Sequence, residues 1–192
     1  IFASESCPSI SQKIAGDIPS DQVKAIINDV VCSFIELQSD NNGTLASTLN
    51  LTKKKIIPYI DLAYSTELAL GSYWSQLDSR QKKIFERDMK NSLINEYVGI
   101  LSDLRIWEDI NISVNEDFIQ NDNLARVKVS LFLEEGSQST TVILKLIRKK
   151  RWKIYDLEYQ SISIVDIEEI GYDSKIKRQG LERLIKKMLN KS

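Results

Sequence analysis

Few residues in this sequence could carry out chemistry, because the 192-residue chain contains no histidine and only two cysteines. Histidine is the commonest general base and metal ligand, so Ser161 and Ser163 lack the base that a nucleophilic serine needs. Cys7 and Cys32 have no C-x-x-C spacing and would need carboxylates to complete a metal site. The sequence therefore predicts a protein that is not an enzyme, with no cofactor and no metal ion.

The charged residues also form no pattern that requires catalysis. Glu168 and Glu169 are neighbours whose side chains point apart, so both are predicted to be solvated. Asp156 interrupts an apolar run and is predicted to be a structural hydrogen-bond acceptor; the alternative is a catalytic carboxylate with a perturbed pKa. The basic run Arg148–Arg151 beside Trp152 suits either nucleic-acid binding or a solvated turn, and the net charge of −1 favours the turn.

The first half of the chain and its end have the apolar period of helices. One apolar stripe runs through a helix that is predicted to start near Asp21. A helical stretch over 45–71 is interrupted at Pro58, which cannot continue a helix. The longest helix is predicted from 79 to about 106. A basic helix is predicted within 166–192, where its lysines could attract anionic lipid or an acidic membrane complex, or could simply be solvated.

After residue 107 the apolar period changes to two. Strands are predicted at 110–114, 125–133, 140–147 and 151–165, and the short turns between them favour an antiparallel meander. Helices that precede strands predict an α+β fold in which the helices pack on one face of the sheet.

The chain length fits one domain. Residues 1–19 hold two of the three prolines and predict an irregular lead-in to a single domain at 20–192. Residues 1–3 fit the end of a signal peptide, with Ala3 before the cut, and fit an arbitrary boundary of the sequence equally well. In an exported protein Cys7 and Cys32 could pair, which would stabilise the fold by about 3.5 kcal/mol in the chain-entropy model.

Apolar surface is the remaining clue to function. Wide-striped helices that face a strongly apolar sheet face either fill the space between them with side chains or leave a cavity for an apolar ligand. Residue patterns alone favour the filled core.

A set of short motifs resembles the MlaC family of toluene-tolerance auxiliary proteins. In chain order the motifs are Ile57-Pro-Tyr-Ile-Asp61, Leu70-Gly-Ser-Tyr-Trp74, Gln81 with Phe85, Trp152-Lys-Ile-Tyr-Asp156, Ser161-Ile-Ser-Ile-Val165 and Gly180-Leu-Glu-Arg-Leu-Ile185. Their order and spacing agree with the family over roughly residues 20–190. Two positions depart from it: Ser161 stands where the family often has glycine, and Glu168-Glu169 stands where Tyr-Arg is usual. The second departure replaces a base with an acid, so a headgroup or partner contact that the family's arginine would make is not expected from this chain.

The resemblance implies a curved four-stranded antiparallel sheet of the NTF2-like or cystatin-like kind, with N-terminal helices and a C-terminal helix around a hydrophobic pocket. It implies a monomeric periplasmic carrier that is exported with removal of its signal peptide. The carrier would move phospholipid between an outer-membrane lipoprotein–porin complex and an inner-membrane lipid ABC transporter, and so maintain outer-membrane asymmetry. The alternative is an NTF2-like adaptor with a filled core that binds a protein and no ligand.

Under this resemblance the acyl chains are expected against the apolar sheet face and the neighbouring helices. The predicted lining is Leu70, Tyr73, Trp74, Phe85, Met89, Tyr97, Val127, Val129, Leu131, Val142, Leu144, Leu146, Trp152 and Ile154.

Overall fold

Helices precede strands along the chain, as the change of apolar period predicts. The structure, a computed structural model, describes residues 18–39, 44–101, 111–132 and 140–190. The α-helices are α1 (Pro19–Ser39), α2 (Leu45–Lys55), α3 (Leu62–Leu70), α4 (Ser79–Leu101), α5 (Ile164–Gln179) and α6 (Leu181–Leu189). Two 3₁₀ turns, Ile57–Tyr59 and Gly71–Gln76, flank α3. The predicted ends of the longest helix, at 102–106, and of the first strand, at 110, lie outside the described residues.

The strands form one antiparallel sheet in chain order, which confirms the predicted α+β meander. The strands are β1 (Asn111–Asn121), β2 (Leu124–Phe132), β3 (Thr140–Arg148), β4 (Trp152–Tyr159) and the two-residue β5 (Ile162–Ser163). The prediction of four strands therefore misses only β5. The first strand is longer than predicted because it continues to Asn121, opposite Leu124 of β2.

The prediction of one long strand over 151–165 is wrong. The chain reverses at Gln160 and Ser161, so that Tyr159 of β4 pairs with Ile162 of β5. Both turn residues have positive φ, +49° and +63°, which is the backbone of a two-residue type I′ hairpin. Asparagine and glycine usually signal this turn, and neither is present. The apolar alternation alone therefore predicts one continuous strand across it.

Ser161→Gly is expected to raise the free energy of unfolding by about 1 kcal/mol. Left-handed backbone is unfavourable for a residue with a Cβ atom and costs glycine little. Urea denaturation measures the change. The matched control is Ser174→Gly in the exposed middle of α5, which should instead destabilise by about 0.5 kcal/mol. Loss of stability in both variants would contradict the strain at Ser161.

Gly180 divides the predicted final helix in two. Its φ of +83° ends α5, and α6 begins at the next residue. Helix α5 also begins earlier than expected, at Ile164, because the Ser163 side chain caps it by accepting a hydrogen bond from the backbone N–H of Asp166. The chain therefore places two short helices, and not one long one, against α3 and α4.

The helices reach the sheet from two sides. Helix α1 lies against β1 and β2. At the other side, the segment before α3 joins β4: the backbone N–H of Asp61 donates to the Ile154 carbonyl at 2.8 Å, and the Ser65 hydroxyl donates to the Tyr155 carbonyl at 2.6 Å. No helix among the described residues is long and apolar enough to cross a membrane.

Candidate functional site

The apolar face of the sheet packs under α1. We call its buried residues the sheet cluster: Val23, Ala125, Val127, Val129, Leu144, Leu146 and Trp152. Alternation along β2 and β3 places these side chains on one face, and the antiparallel register brings them together, with Val127 opposite Leu144 and Ala125 opposite Leu146. This confirms the alternation inferred from the sequence, and it places five of the predicted lining residues in one group.

Burial of this face is uneven along the strands. Ala125, Val127 and Leu146 are 0% exposed, toward the end of the sheet that carries the β3–β4 turn. Four further residues pack against the cluster at the opposite end and are only half-buried; we call them the rim set: Ile112, Val114, Leu131 and Val142. The register joins the rim set across three strands, because Ile112 faces Leu131, and Val114 and Val142 both face Val129.

The predicted lining residues on the helices lie in a separate group. Leu70, Phe85 and Met89 are buried together with residues of α5 and α6, and Tyr73 and Trp74 pack against them half-buried. This helical cluster shares no buried member with the sheet cluster. Its centre is the edge-to-face pair of Phe85 and Tyr172, with ring centroids 5.5 Å apart. The side chain of Tyr97 lies outside the described part of the chain.

Asp156 holds the start of α5 against the sheet. Its carboxylate, 5% exposed, accepts hydrogen bonds from the Ser163 hydroxyl at 2.7 Å, the Val165 backbone N–H at 3.1 Å and the Lys145 ammonium at 2.8 Å. A carboxylate at a helix N-terminus accepts a hydrogen bond from an otherwise unpaired N–H, and its negative charge interacts favourably with the helix dipole. The prediction that Asp156 is a structural acceptor is confirmed.

Asp156 lies, however, on the opposite face of the sheet from the one that the sequence pattern predicts. Strict alternation puts Asp156 on the side of Trp152 and Ile154. In the structure Lys145 pairs with Asp156 while Leu146 pairs with Ile154, so Tyr155 is an extra residue in β4. A β-bulge of this kind turns the following side chains to the other face. Asp156 therefore lies on the polar face, away from the sheet cluster.

The polar face carries a small network of charges around Lys145. Its ammonium lies 2.8 Å from the Asp156 carboxylate and 3.3 Å from that of Glu158, which also accepts from Arg126 at 2.8 Å. Burial acts to lower the pKa of Lys145, but the hydrogen bonds and charges of Asp156 and Glu158 outweigh it and raise that pKa. The raised pKa keeps Lys145 in its charged form, whereas a general base would need the neutral amine.

Glu168 is buried, so the prediction that it is solvated is wrong. It is 5% exposed and accepts a hydrogen bond from the Ser92 hydroxyl of α4, whereas Glu169 is exposed as expected. One turn further along α5, the hydroxyl of the fully buried Tyr172 donates to Asp88 at 3.3 Å. Burial, followed by the charges of Asp88 and Glu168, raises the pKa of the Tyr172 hydroxyl far above its usual value.

Gln22 is a positioning residue that sequence reasoning missed. Its side chain is 1% exposed and bonds both backbone groups of Trp152: the amide nitrogen donates to the carbonyl, and the amide oxygen accepts from the N–H at 3.0 Å. These bonds tie the first turn of α1 to the first residue of β4, across 130 residues of sequence. A glutamine in the first turn of a helix is unremarkable in sequence, so no local pattern signals this contact.

Comparison with known proteins decides the family. The family model described as "MlaC protein" matches residues 24–190. The chain belongs to the MlaC family. This confirms the resemblance that the short motifs indicated. Among the described residues of this MlaC-family chain, no group of three or more Cys, Asp or Glu could hold a metal ion.

One curated relative and one solved structure are similar to this MlaC-family chain. The intermembrane phospholipid transport system binding protein MlaC of Haemophilus influenzae is 19% identical over 167 residues, which are 85% of this chain and 75% of the relative. A phospholipid-binding protein from Ralstonia solanacearum, solved in complex with a phospholipid, superposes with a TM-score of 0.74 at 22% identity. The superposition covers 88% of this chain and 93% of that one, and it establishes a shared fold.

Proposed function

We propose that this protein is a periplasmic carrier that binds phospholipid by its acyl chains and moves it between membrane complexes. Membership of the MlaC family is the observation that carries the proposal. Two further observations support it: the relative from Haemophilus influenzae is named an intermembrane phospholipid transport system binding protein, and the structurally similar protein from Ralstonia solanacearum was solved in complex with a phospholipid. The proposed partners are an inner-membrane lipid ABC transporter and an outer-membrane lipoprotein–porin complex, and the carrier acts as a monomer and maintains outer-membrane asymmetry.

The physical task of such a carrier is to keep acyl chains dry and the headgroup wet. Each buried methylene contributes about 0.8 kcal/mol, so a sixteen-carbon chain contributes on the order of 10 kcal/mol. We propose that the chains enter at the rim set and run along the sheet face, against Val127, Val129, Leu131, Val142, Leu144, Leu146, Trp152 and Ile154. No step of this task breaks a covalent bond, so the role that we propose is not catalytic.

Lipid analysis of the purified protein tests the proposal. Native mass spectrometry of protein prepared without detergent should show a bound mass that organic extraction releases as phospholipid. Lipid-free protein should take up fluorescent phospholipid from vesicles with a stoichiometry near one. Protein that is lipid-free in every preparation and that takes up nothing from vesicles would overturn the proposal.

One observation favours a second candidate, an adaptor with a filled core that binds a protein and no lipid. The residues of the sheet cluster are at most 9% exposed, as expected for side chains that pack only against each other. The same uptake experiment separates the two functions, because a filled core has no room for acyl chains.

A disulfide is evidence for the proposal that the protein is exported to an oxidising compartment. Cys32 is disulfide-bonded, and Cys7, which lies outside the described residues, is the other cysteine of the sequence. Disulfides persist in the periplasm and are rare in the cytosol. We propose that Cys32 pairs with Cys7 after removal of a signal peptide.

Cys32→Ser is expected to lower the free energy of unfolding by about 3.5 kcal/mol, because the unfolded chain loses a closed loop. Chemical denaturation of the wild type with and without dithiothreitol should show the same loss. The variant is its own control, since its stability should not respond to the reductant. A wild type that is equally stable in both conditions would contradict the bridge.

A further inference from the structure

The turn between β3 and β4 forms one wall of a second concave site. A cleft of about 480 Å³ lies between this turn and the start of α3. We call it the basic cleft; its lining includes Asp61, Leu62, Lys149, Lys150, Arg151 and Lys153. Four cationic side chains thus face one carboxylate in a space that is large enough for a headgroup-sized ion. A convex turn with the same composition would only be a solvated surface.

The carboxylate of the basic cleft neutralises little of this charge. Asp61 accepts a hydrogen bond from the Tyr64 backbone N–H as the cap of α3, and its other oxygen lies 3.8 Å from the Lys149 ammonium. Lys150, Arg151 and Lys153 pair with no carboxylate in the part of the chain that the structure describes. The cleft therefore carries a net positive charge that an anion would balance.

Two of the four cations lie over aromatic rings. The Lys149 ammonium lies 5.7 Å from the ring centroid of Tyr64, and the Arg151 guanidinium lies 5.8 Å from that of Tyr59. The turn itself is fixed by backbone hydrogen bonds, from the Arg148 N–H to the Asn123 carbonyl at 2.8 Å and from the Lys149 N–H to the Arg151 carbonyl at 3.1 Å. Cations that are already positioned lose less conformational entropy when they bind an anion.

The basic cleft is separate from the proposed entrance for acyl chains. Lys153 alternates with Trp152 and Ile154, so it points away from the sheet cluster. The rim set lies at the other end of the sheet, and the six residue steps along β3 from Val142 to Arg148 span about 20 Å. At the end near the basic cleft the apolar face is closed, with Trp152 3% exposed. A headgroup at the rim set therefore does not reach this cleft.

We infer that the basic cleft binds a phosphate group, carried either by a lipid headgroup at a membrane surface or by a free phosphate compound. Phosphate offers several acceptor oxygens and up to two negative charges, which suits a guanidinium and clustered ammonium groups that are left without carboxylates. The binding is electrostatic and close to solvent, so it weakens as salt screens the charges.

The test compares the full-length wild type with two variants of equal charge. Lys150→Glu/Arg151→Glu reverses two charges of the basic cleft, and Lys53→Glu/Lys54→Glu reverses two exposed bases of α2, which do not line the cleft, as the matched control. Calorimetry with pyrophosphate and co-sedimentation with phosphatidylglycerol vesicles, against phosphatidylcholine vesicles, measure the two sources of phosphate. Each base near an anionic surface raises the binding affinity about fivefold. The loss of two bases should therefore weaken binding by the cleft variant at least about 30-fold, whereas the affinity of the control should stay within about twofold of the wild type.

Each outcome bears on the inference. Loss of binding to both probes in the cleft variant supports a site that accepts either source; loss with vesicles alone assigns it to headgroups, and loss with pyrophosphate alone to free phosphate. Absence of binding to both probes, or equal loss in the control, overturns it. Binding of a polyglutamate peptide in place of either probe, lost in the cleft variant, would overturn it in favour of an acidic protein. The phospholipid that co-purifies with the cleft variant should stay at the wild-type level, which keeps this test apart from that of the carrier function.

Discussion

A tryptophan at Leu131 or at Val142 is expected to empty the protein of phospholipid while the fold survives. Both residues belong to the half-buried rim set, so an added indole extends into the proposed entrance and displaces few packed neighbours. If the indole excludes three methylenes of an acyl chain, at about 0.8 kcal/mol each, the affinity falls about 50-fold. Native mass spectrometry and uptake of fluorescent phospholipid measure the loss, and thermal denaturation checks the fold.

The matched control places the same bulk on exposed surface. Ile162→Trp, at a side chain that is 56% exposed on β5, should retain wild-type lipid. Val129 and Leu144 are poorer positions for this experiment, because they are 2% and 9% exposed and a larger side chain there would cost about 1–3 kcal/mol in overpacking. Wild-type loading in both rim variants would remove Leu131 and Val142 from the proposed lining.

Asp156→Ala is expected to lower the free energy of unfolding by about 3 kcal/mol and the melting temperature by about 10 °C. The substitution removes the acceptor for the Ser163 hydroxyl, the Val165 N–H and the Lys145 ammonium. Each buried donor that is left without a partner costs about 1–3 kcal/mol, and Lys145 keeps a charge that is only partly exposed to water. Urea and thermal denaturation measure both quantities.

Asp173→Ala is the control for the loss of a carboxylate in an ion pair. Asp173 lies 2.8 Å from the Lys177 ammonium and accepts a long hydrogen bond from the Tyr73 hydroxyl at 3.4 Å, but Asp173 and Lys177 are 39% and 70% exposed, so water replaces the lost contacts. The expected change is below about 1 kcal/mol. A change at Asp156 no larger than this would mean that the start of α5 does not depend on the Asp156 carboxylate.

The sheet was largely predictable because its side chains obey a local rule. Alternation in β2 and β3 identifies Val127, Leu144 and Leu146 as one face, and the structure buries all three together. The rule fails at the two places where the backbone departs from a regular strand. The bulge at Tyr155 moves Asp156 to the other face, and the left-handed turn at Gln160 ends β4 without the glycine or asparagine that usually marks such a turn.

Contacts between distant segments were not predictable in the same way. The burial of Glu168 depends on Ser92 of α4, and the position of α1 depends on the bonds between Gln22 and Trp152. The division of the expected lining residues into a sheet cluster and a helical cluster is a result of the same kind. Apolar spacing shows that a side chain will be buried, but not which partner will cover it.

The sequence by itself therefore determined the order of helices and strands, the apolar faces, the absence of histidine chemistry and the resemblance to the MlaC family. These follow from the chemistry of single residues and from short periods along the chain. Tertiary structure alone decided that the apolar sheet face is tightly closed at one end and half-buried at the other, and that the basic turn after β3 forms a cleft with the start of α3. Both features need segments far apart in sequence to pack together, and that packing is the physical reason why no local pattern could show them.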